Sequence, residues 1–463
     1  MSEDSAEQRF SEPFSRDRLA ALISRERASY AERHQRSAAA YAAAAGHLLG
    51  GVPMTWMRMW PGGFPLYLSA ARGARLTDID GTEFIDFCLG DTGAMAGHSP
   101  AAVQAAIARR YSELGGATTM LPTTDSEWVA AELTRRFGAA HWSFTLTATD
   151  ANRWAIRLAR QLTGRRKILV YSYCYHGSVD ESFIIATPDG PQPRAGNVGA
   201  PVDPRETTRV VEFNDAAALE RELAHGDVAA VLMEPALTNI GIVLPQPGYL
   251  AAVRELTRRH GVLLINDETH TFSAGPGGCT RAWRLDPDMV TIGKAIAGGI
   301  PAGGYGLSAE LADRILADKS ADIEDTGGIG GTLAGNALSV AAMRATLEQV
   351  LTDAAFEHMI SVAGRYTAGV QEVLASRRLP WTITQLGARA EYRFCPQPPR
   401  DGGESAAAAD TDLDEYLHLY LANRGILITP FHNMALMCPA TTAADADAHT
   451  EVFAAAADEL TGG

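Results

Sequence analysis

Met289-Val290-Thr291-Ile292-Gly293-Lys294-Ala295-Ile296-Ala297-Gly298-Gly299-Ile300-Pro301 is the stretch on which the reading of this chain turns. It opens as an apolar, β-branched run, the pattern of a strand buried on both faces. A lysine follows at the carboxyl end, and then small residues that let a bulky group approach the backbone closely. Upstream, residues 261–265 form a second apolar run leading into Asn266-Asp267-Glu268, and Val228–Met233 a third ending at Glu234-Pro235. Lys167–Tyr171 is a fourth and leads into Cys174-Tyr175-His176-Gly177. Helical patterns such as residues 249–260 precede several of these runs. Alternating strands and helices predict a mostly parallel α/β sheet covered on both faces. Ligands of such sheets collect outside the carboxyl ends of the strands, where Glu234, Asp267 and Lys294 stand. A buried Asp267–Lys294 salt bridge would account for two of these charges without a ligand. The small residues after Lys294 favour a bound group.

The rest of the chain suits a multi-lobed enzyme. Its 463 residues exceed the span of one core, which stops growing near about 250–300 residues. With 46% hydrophobic and 21% charged residues, it has an ordinary globular composition. Its 40 Lys and Arg against 55 Asp and Glu give a formal charge of −15, which argues against nucleic acid as a partner. No apolar run is long enough to span a membrane, and the acidic start at residues 1–4 lacks a signal-peptide layout. The five cysteines are scattered, without a Cys-x-x-Cys, which argues against both a disulfide framework and structural zinc. The expected location is the cytoplasm.

Two helices are expected in the first 50 residues. The first is capped by Ser15 with Leu19, Leu22, Ile23 and Tyr30 on its apolar face, and the second covers residues 37–49. Residues 64–87 read as strands with a tight turn at Asp80-Gly81. A long helical stretch begins near Asn336, mixed structure returns from Trp381, and the Pro-, Gly- and Ala-rich residues 396–412 read as an exposed loop.

The polar residues at the strand ends meet the needs of pyridoxal phosphate (PLP). That cofactor requires a lysine for its Schiff base, an acid at the pyridine nitrogen, a flat group against the ring and donors for the phosphate. Lys294 and Asp267 answer the first two, and Tyr175 the third. Thr147-Ala148-Thr149-Asp150 opens a helix whose free N–H groups suit a phosphate, although a Thr-x-Thr at a helix start is also an ordinary N-cap.

From about residue 37 to its end, the chain resembles the class III, fold-type I PLP aminotransferases, most closely the glutamate-1-semialdehyde aminomutase branch. The resemblance rests on Gly293–Pro301, Cys174-Tyr175-His176-Gly177, Gly331-Thr332-Leu333-Ala334-Gly335-Asn336, Glu234-Pro235 and Asn266-Asp267-Glu268, in family order. It implies a helical extension over residues 1–36, a large cofactor domain with a seven-stranded-type sheet over 106–345, and a smaller α+β domain from 37–105 and 346–463. It further implies that Lys294 carries PLP and moves the proton, and that Asp267 keeps the pyridine nitrogen protonated. Tyr175 and Thr269 would cover the ring faces, with His176 beside them. Thr147, Ala148 and Thr149 would hold the phosphate, Glu234 would orient the hydroxyl side, and Thr332 would reach the phosphate of a partner subunit in a homodimer with shared sites.

Departures from the family fall mainly on the substrate side. The aminomutase holds its carboxylate with an Arg before a Gly-Gly pair. Here Arg58 precedes Gly62-Gly63 two residues too closely, and an ungapped alignment puts Trp56 in its place. Residues 54–60 are rich in Met and Trp. Residues 429–437, which carry an acceptor-binding Arg in many relatives, contain none. Asp91 stands where the family's pocket entrance begins, as a pocket residue or a turn residue. The expectation is therefore transamination from a hydrophobic amine or β-amino acid to a keto acid, with weak glutamate-semialdehyde activity. An aminomutase, a PLP lyase or racemase, and a non-catalytic PLP-fold protein are the alternatives. His98 reads as a packing residue, and His270 lacks zinc-type spacing, so no metal is expected. No Gly-x-Ser-x-Gly elbow exists, and Gly275-Pro276-Gly277-Gly278 lacks the Lys-Ser/Thr of a P-loop.

Overall fold

The structure, a computed structural model, describes residues 13–317 and 331–462; residues 1–4 therefore lie outside it. Seven strands form the large sheet: β1 (His141–Thr145), β2 (Lys167–Tyr171), β3 (Thr208–Val211), β4 (Val228–Met233), β5 (Leu263–Asp267), β6 (Met289–Ile292) and β7 (Gly303–Leu307). Their order is β1-β7-β6-β5-β4-β2-β3. The β3-β2-β4-β5-β6 pairs are parallel, and β7 runs antiparallel to both of its neighbours. Every residue of β4 is buried, as its uninterrupted apolar run requires of a strand covered on both faces. The expected second strand of the site starts and ends two residues later than its apolar run, so Asp267 is the last residue of β5.

Two smaller sheets join distant parts of the chain. Leu68–Arg72, Arg75–Asp78 and Glu83–Asp86 form a meander, and Ile426–Leu427 adds to it in parallel, pairing Ile426 with Ile85. Thr382–Leu386, Arg389–Arg393 and Met434–Leu436 form the other. The turn between Asp78 and Glu83 has Gly81 at φ 90°, as expected at Asp80-Gly81.

The first helix, Arg16–Arg33, is capped by the Ser15 side chain and buries Leu19, Leu22, Ile23 and Tyr30. It lies on its own chain, against the Thr411–Ala422 helix, with ion pairs Arg16–Asp410 and Arg27–Glu415. The second helix is shorter than its apolar pattern and covers only Gln35–Ala44. Asp80 accepts hydrogen bonds from the Arg36 and Ser37 backbone N–H groups at its start.

Residues 396–412 depart from the loop expectation. Asp401 caps a helix over Gly402–Ala407, and Ser405 is buried there, its hydroxyl donating to the Ile240 carbonyl. Alanines that read as low complexity are strong helix formers once an acid supplies the cap. His98 has the packing role expected of it: its Nε2 is 2.7 Å from Asp86 Oδ2 and its backbone bridges to Gly73. No helix among the described residues is long and apolar enough to cross a membrane.

Candidate active site

Asp267 ends β5 as a buried carboxylate with three partners. Oδ2 accepts from Asn152 Nδ2 at 2.8 Å and lies 2.9 Å from His176 Nδ1, and Oδ1 accepts from the Thr269 N–H at 3.0 Å. Asn152 is fixed in turn by Thr291 Oγ1 at 2.6 Å. Burial opposes ionisation, but the His176 bond and charge, with Thr269 and Asn152, hold this carboxyl below its usual range. Burial also opposes a charge on His176, which Cys174 and Asp267 outweigh, holding that imidazole well above its ordinary range. His176 thus holds Asp267 through Nδ1.

Lys294 stands two residues beyond β6 at φ 51°, a left-handed conformation that side chains rarely adopt outside functional sites. Its Nζ lies 2.7 Å from Asp91 Oδ2 and 2.8 Å from His270 Nε2. Asp91 belongs to an uncommon backbone segment: Leu89, Gly90, Asp91 and Thr92 all have positive φ, at 45°, 57°, 49° and 80°. For L-residues such a turn costs roughly 1–2 kcal/mol per residue. Burial would raise the Asp91 carboxyl, but Lys294 and His270 hold it well below the usual carboxylate range.

The sheet's first crossover supplies the anion end. The Ala148–Thr163 helix begins here, and Thr147 caps it: its hydroxyl accepts from the Asp150 N–H at 3.1 Å and donates to Asp150 Oδ2. The Thr147 side chain thus serves the cap here. Thr149 Oγ1 accepts from the Ser178 N–H at 3.2 Å. Gly177, at φ 79°, packs so closely there that a Cβ would lie 2.1 Å from Thr149 Oγ1. A Cβ on Gly293 would likewise lie 2.9 Å from the Ala148 nitrogen.

Tyr175 forms an aromatic wall with Trp56, whose ring centroid is 5.2 Å away, and Trp56 meets Phe431 edge-on at 5.0 Å. Arg58 does not join them. It is exposed and lies against Gly50, where a Cβ would meet its Nη1 at 2.8 Å. A short 3₁₀ turn over Thr55–Arg58 separates the two side chains, so only Trp56 reaches the wall.

Three functional candidates escaped the sequence reading: Asn152, His270 and Arg389. Arg389 is buried on the Arg389–Arg393 strand, donating to Thr92 Oγ1 at 3.0 Å with its Nη2 3.4 Å from His270 Nδ1. The one guanidinium expected for a pocket carboxylate, Arg58, is exposed, whereas Arg389 is buried. His270 is kept neutral by burial and by the Lys294 charge, which lower it well below its usual range.

PLP fits this donor set. Several buried polar atoms around Asp267 have no hydrogen-bond partner among the described residues: Glu234 Oε1, His176 Nε2 and Thr269 Oγ1. Buried polar groups are rarely left so unless a ligand or water completes them. Glu234 Oε2 is occupied by the Thr238 N–H and hydroxyl, at 2.7 and 3.0 Å, while burial pushes its carboxyl up to about 7.

Residues 58–456 match the model of the family "Aminotransferase class-III". The chain belongs to this family. It is 33% identical to the glutamate-1-semialdehyde 2,1-aminomutase of Chloroflexus aggregans over 420 residues, covering 86% of this chain and 92% of that protein. A glutamate-1-semialdehyde-aminomutase from Pseudomonas aeruginosa PAO1 has 51% identity and a TM-score of 0.94, covering 97% of this chain and all of that one. A lysine-to-alanine variant of a glutamate-1-semialdehyde-aminomutase from the same strain was crystallised in complex with PMP. An omega-transaminase from Sphaerobacter thermophilus has 29% identity and a TM-score of 0.83, covering 92% and 98%. The chain is a fold-type I class III enzyme, and its cofactor is PLP. As expected, its sheet is α/β and mostly parallel.

Proposed function

We propose that this enzyme exchanges an amino and an oxo group within one carboxylate-bearing substrate, as a glutamate-1-semialdehyde 2,1-aminomutase would. Near-complete coverage at 51% identity by a protein of that name supports this reading best. It replaces the expectation of hydrophobic-amine transamination, which rested on a displaced Arg58, the lack of an Arg in residues 429–437 and a Met- and Trp-rich rim.

When bound, PLP supplies an aldehyde carbon for the amine and a ring that accepts electrons from the carbon losing its proton. Lys294 would hold the cofactor through its Nζ, and the free amine, set by Asp91 and His270, would take and return the substrate proton. Asp267, kept ionised by His176, Asn152 and the Thr269 N–H, fixes the proton on the pyridine nitrogen. Ala148 and Thr149 offer N–H groups and a hydroxyl to the phosphate at the positive end of a helix. Tyr175 and Thr269 flank the ring, Glu234 faces its hydroxyl side, and Trp56 and Phe431 exclude water.

The competent unit is a homodimer. Thr332 is exposed within its own chain beside exposed Leu333, and Tyr111, Leu114, Met120 and Leu121 are exposed as well. Leu338 N donates to the Ala117 carbonyl at 3.3 Å, tying the two segments of this face together. An apolar face of this kind marks an interface, and a second copy would bring Thr332 to the neighbouring phosphate.

The test is a reaction of 4-amino-5-oxopentanoate with the holoenzyme and no added acceptor. Formation of 5-amino-4-oxopentanoate is expected. Transamination from hydrophobic amines or β-amino acids to a keto acid is the second reading, favoured by the Trp56–Tyr175–Phe431 wall; turnover only with both partners present would establish it instead.

A further inference from the structure

Arg389 is a buried charge held in no ion pair among the described residues. It is 1% exposed, and among the described residues no acid forms an ion pair with it. The acids whose charge it feels form no ion pair with it among the described residues, although both oxygens of buried Glu391 also lack a hydrogen-bond partner there. Asp91 lies on Lys294 at 2.7 Å, Glu391 faces His432 Nδ1 at 3.3 Å, and Glu234 accepts from Thr238. Its Nε has no hydrogen-bond partner among the described residues. Nη2 meets only neutral groups: the Thr92 hydroxyl at 3.0 Å, His270 Nδ1 at 3.4 Å and the Met434 sulfur at 3.9 Å.

Burying a guanidinium without a counterion is strongly unfavourable. A fold keeps one where an anion arrives to complete it, and the planar fork of Arg matches a carboxylate. Its position is also informative. His270 turns one ring nitrogen to Arg389 and the other to Lys294, so the guanidinium and the reacting amine flank the same imidazole. Thr92, which holds the guanidinium, and Asp91, which holds the amine, are neighbours in the strained left-handed turn. Strain of this kind persists where the surroundings over-determine it, and the last two residues of the turn are pinned here by site residues.

We propose that Arg389 receives a carboxylate of the amino or oxo substrate and restricts the enzyme to substrates that carry one. The inference deepens the amino-transfer reading above and rests on it for the identity of the reacting end. The anion site itself can be measured without turnover.

The experiment is calorimetric titration of the holoenzyme with 3-phenylpropanoate and with 3-phenylpropanamide. The two share a shape and differ in charge, and neither carries an amine to exchange. The wild type is expected to prefer the acid by at least about tenfold, and Arg389→Met to bring the two within about threefold. Circular dichroism and cofactor content establish that the variant is folded. If Arg389→Met does not fold, Arg389→Lys, which keeps the charge but loses the fork, carries the comparison with a preference at least about threefold weaker than wild type. Equal binding of acid and amide by the wild type, or an unchanged preference in a folded variant, would overturn the proposal. A wild type that keeps its acid preference yet moves no amino group would overturn the reaction assigned above and leave the anion site standing.

Discussion

Lys294 Nζ rests 2.7 Å from Asp91 Oδ2, at the tip of a four-residue left-handed turn. The lysine is itself left-handed, so strained backbone presents both partners of this ion pair. Asp91→Asn is expected to keep the turn, because Asn tolerates that conformation. It removes the charge that fixes the amine, so turnover should fall about ten- to a hundredfold with little change in thermal stability. Asp91→Val should instead lose roughly 1–2 kcal/mol of stability. Thermal unfolding and steady-state rates on the two variants separate the effects, and wild-type turnover in Asp91→Asn would remove Asp91 from the site.

Asp267→Asn is expected to retain PLP but lose about 10²–10³ in turnover, the usual cost of removing one preorganised electrostatic partner. The loss should appear in kcat more than in KM. Near-wild-type turnover would mean that the acid serving the pyridine nitrogen lies elsewhere.

The Glu234 carboxyl, raised from 4.5 to about 7, makes the apoenzyme's stability depend on pH. Because the folded value exceeds the unfolded one, the stabilising contribution is present in full below about pH 4.5. It is lost as pH rises through about 7. At roughly 1.4 kcal/mol per pH unit, the contribution is about 3 kcal/mol at most. Denaturant titrations of apoenzyme at several pH values should show this decline, and Glu234→Gln should flatten it. An equal slope in both proteins would contradict the assignment.

Gly177→Ala tests the anion end of the site. Its Cβ would lie 2.1 Å from Thr149 Oγ1 at a φ of 79°. The variant should lose about 1–3 kcal/mol and bind PLP more weakly. Unchanged PLP affinity in a destabilised protein would separate Thr149 from the phosphate.

What the sequence made legible follows from the physics of a parallel sheet. A strand such as β4, buried on both faces, can only be apolar, so its polar terminus stands out, as Glu234 does. Asp267 and Lys294 were readable for the same reason. Arg389 was not: Arg389-Ala390-Glu391-Tyr392-Arg393 alternates like a half-exposed strand, yet all five residues are buried. Arg389 turns to Thr92 and His270 while Ala390 and Tyr392 join the core, and alternation alone cannot distinguish that from solvent. Asn152 and His270 act through partners far away in sequence, which spacing does not encode. Trp56 was separable from Arg58 only through the intervening 3₁₀ turn.

Subunit mixing addresses the shared site. Lys294→Ala and Thr332→Glu subunits, each inactive alone, should regain activity when exchanged, because one of the two sites in each heterodimer then carries both native residues. No recovery, with exchange confirmed, would argue for sites complete within one chain.

The central claim is that Lys294 carries the cofactor. Reducing the holoenzyme with borohydride, followed by peptide mass spectrometry, tests it most directly. The expected result is one phosphopyridoxyl group per chain, on Lys294, and none in the Lys294→Ala protein. A label on another lysine, or a Lys294→Ala protein that still fixes PLP irreversibly, would contradict the account.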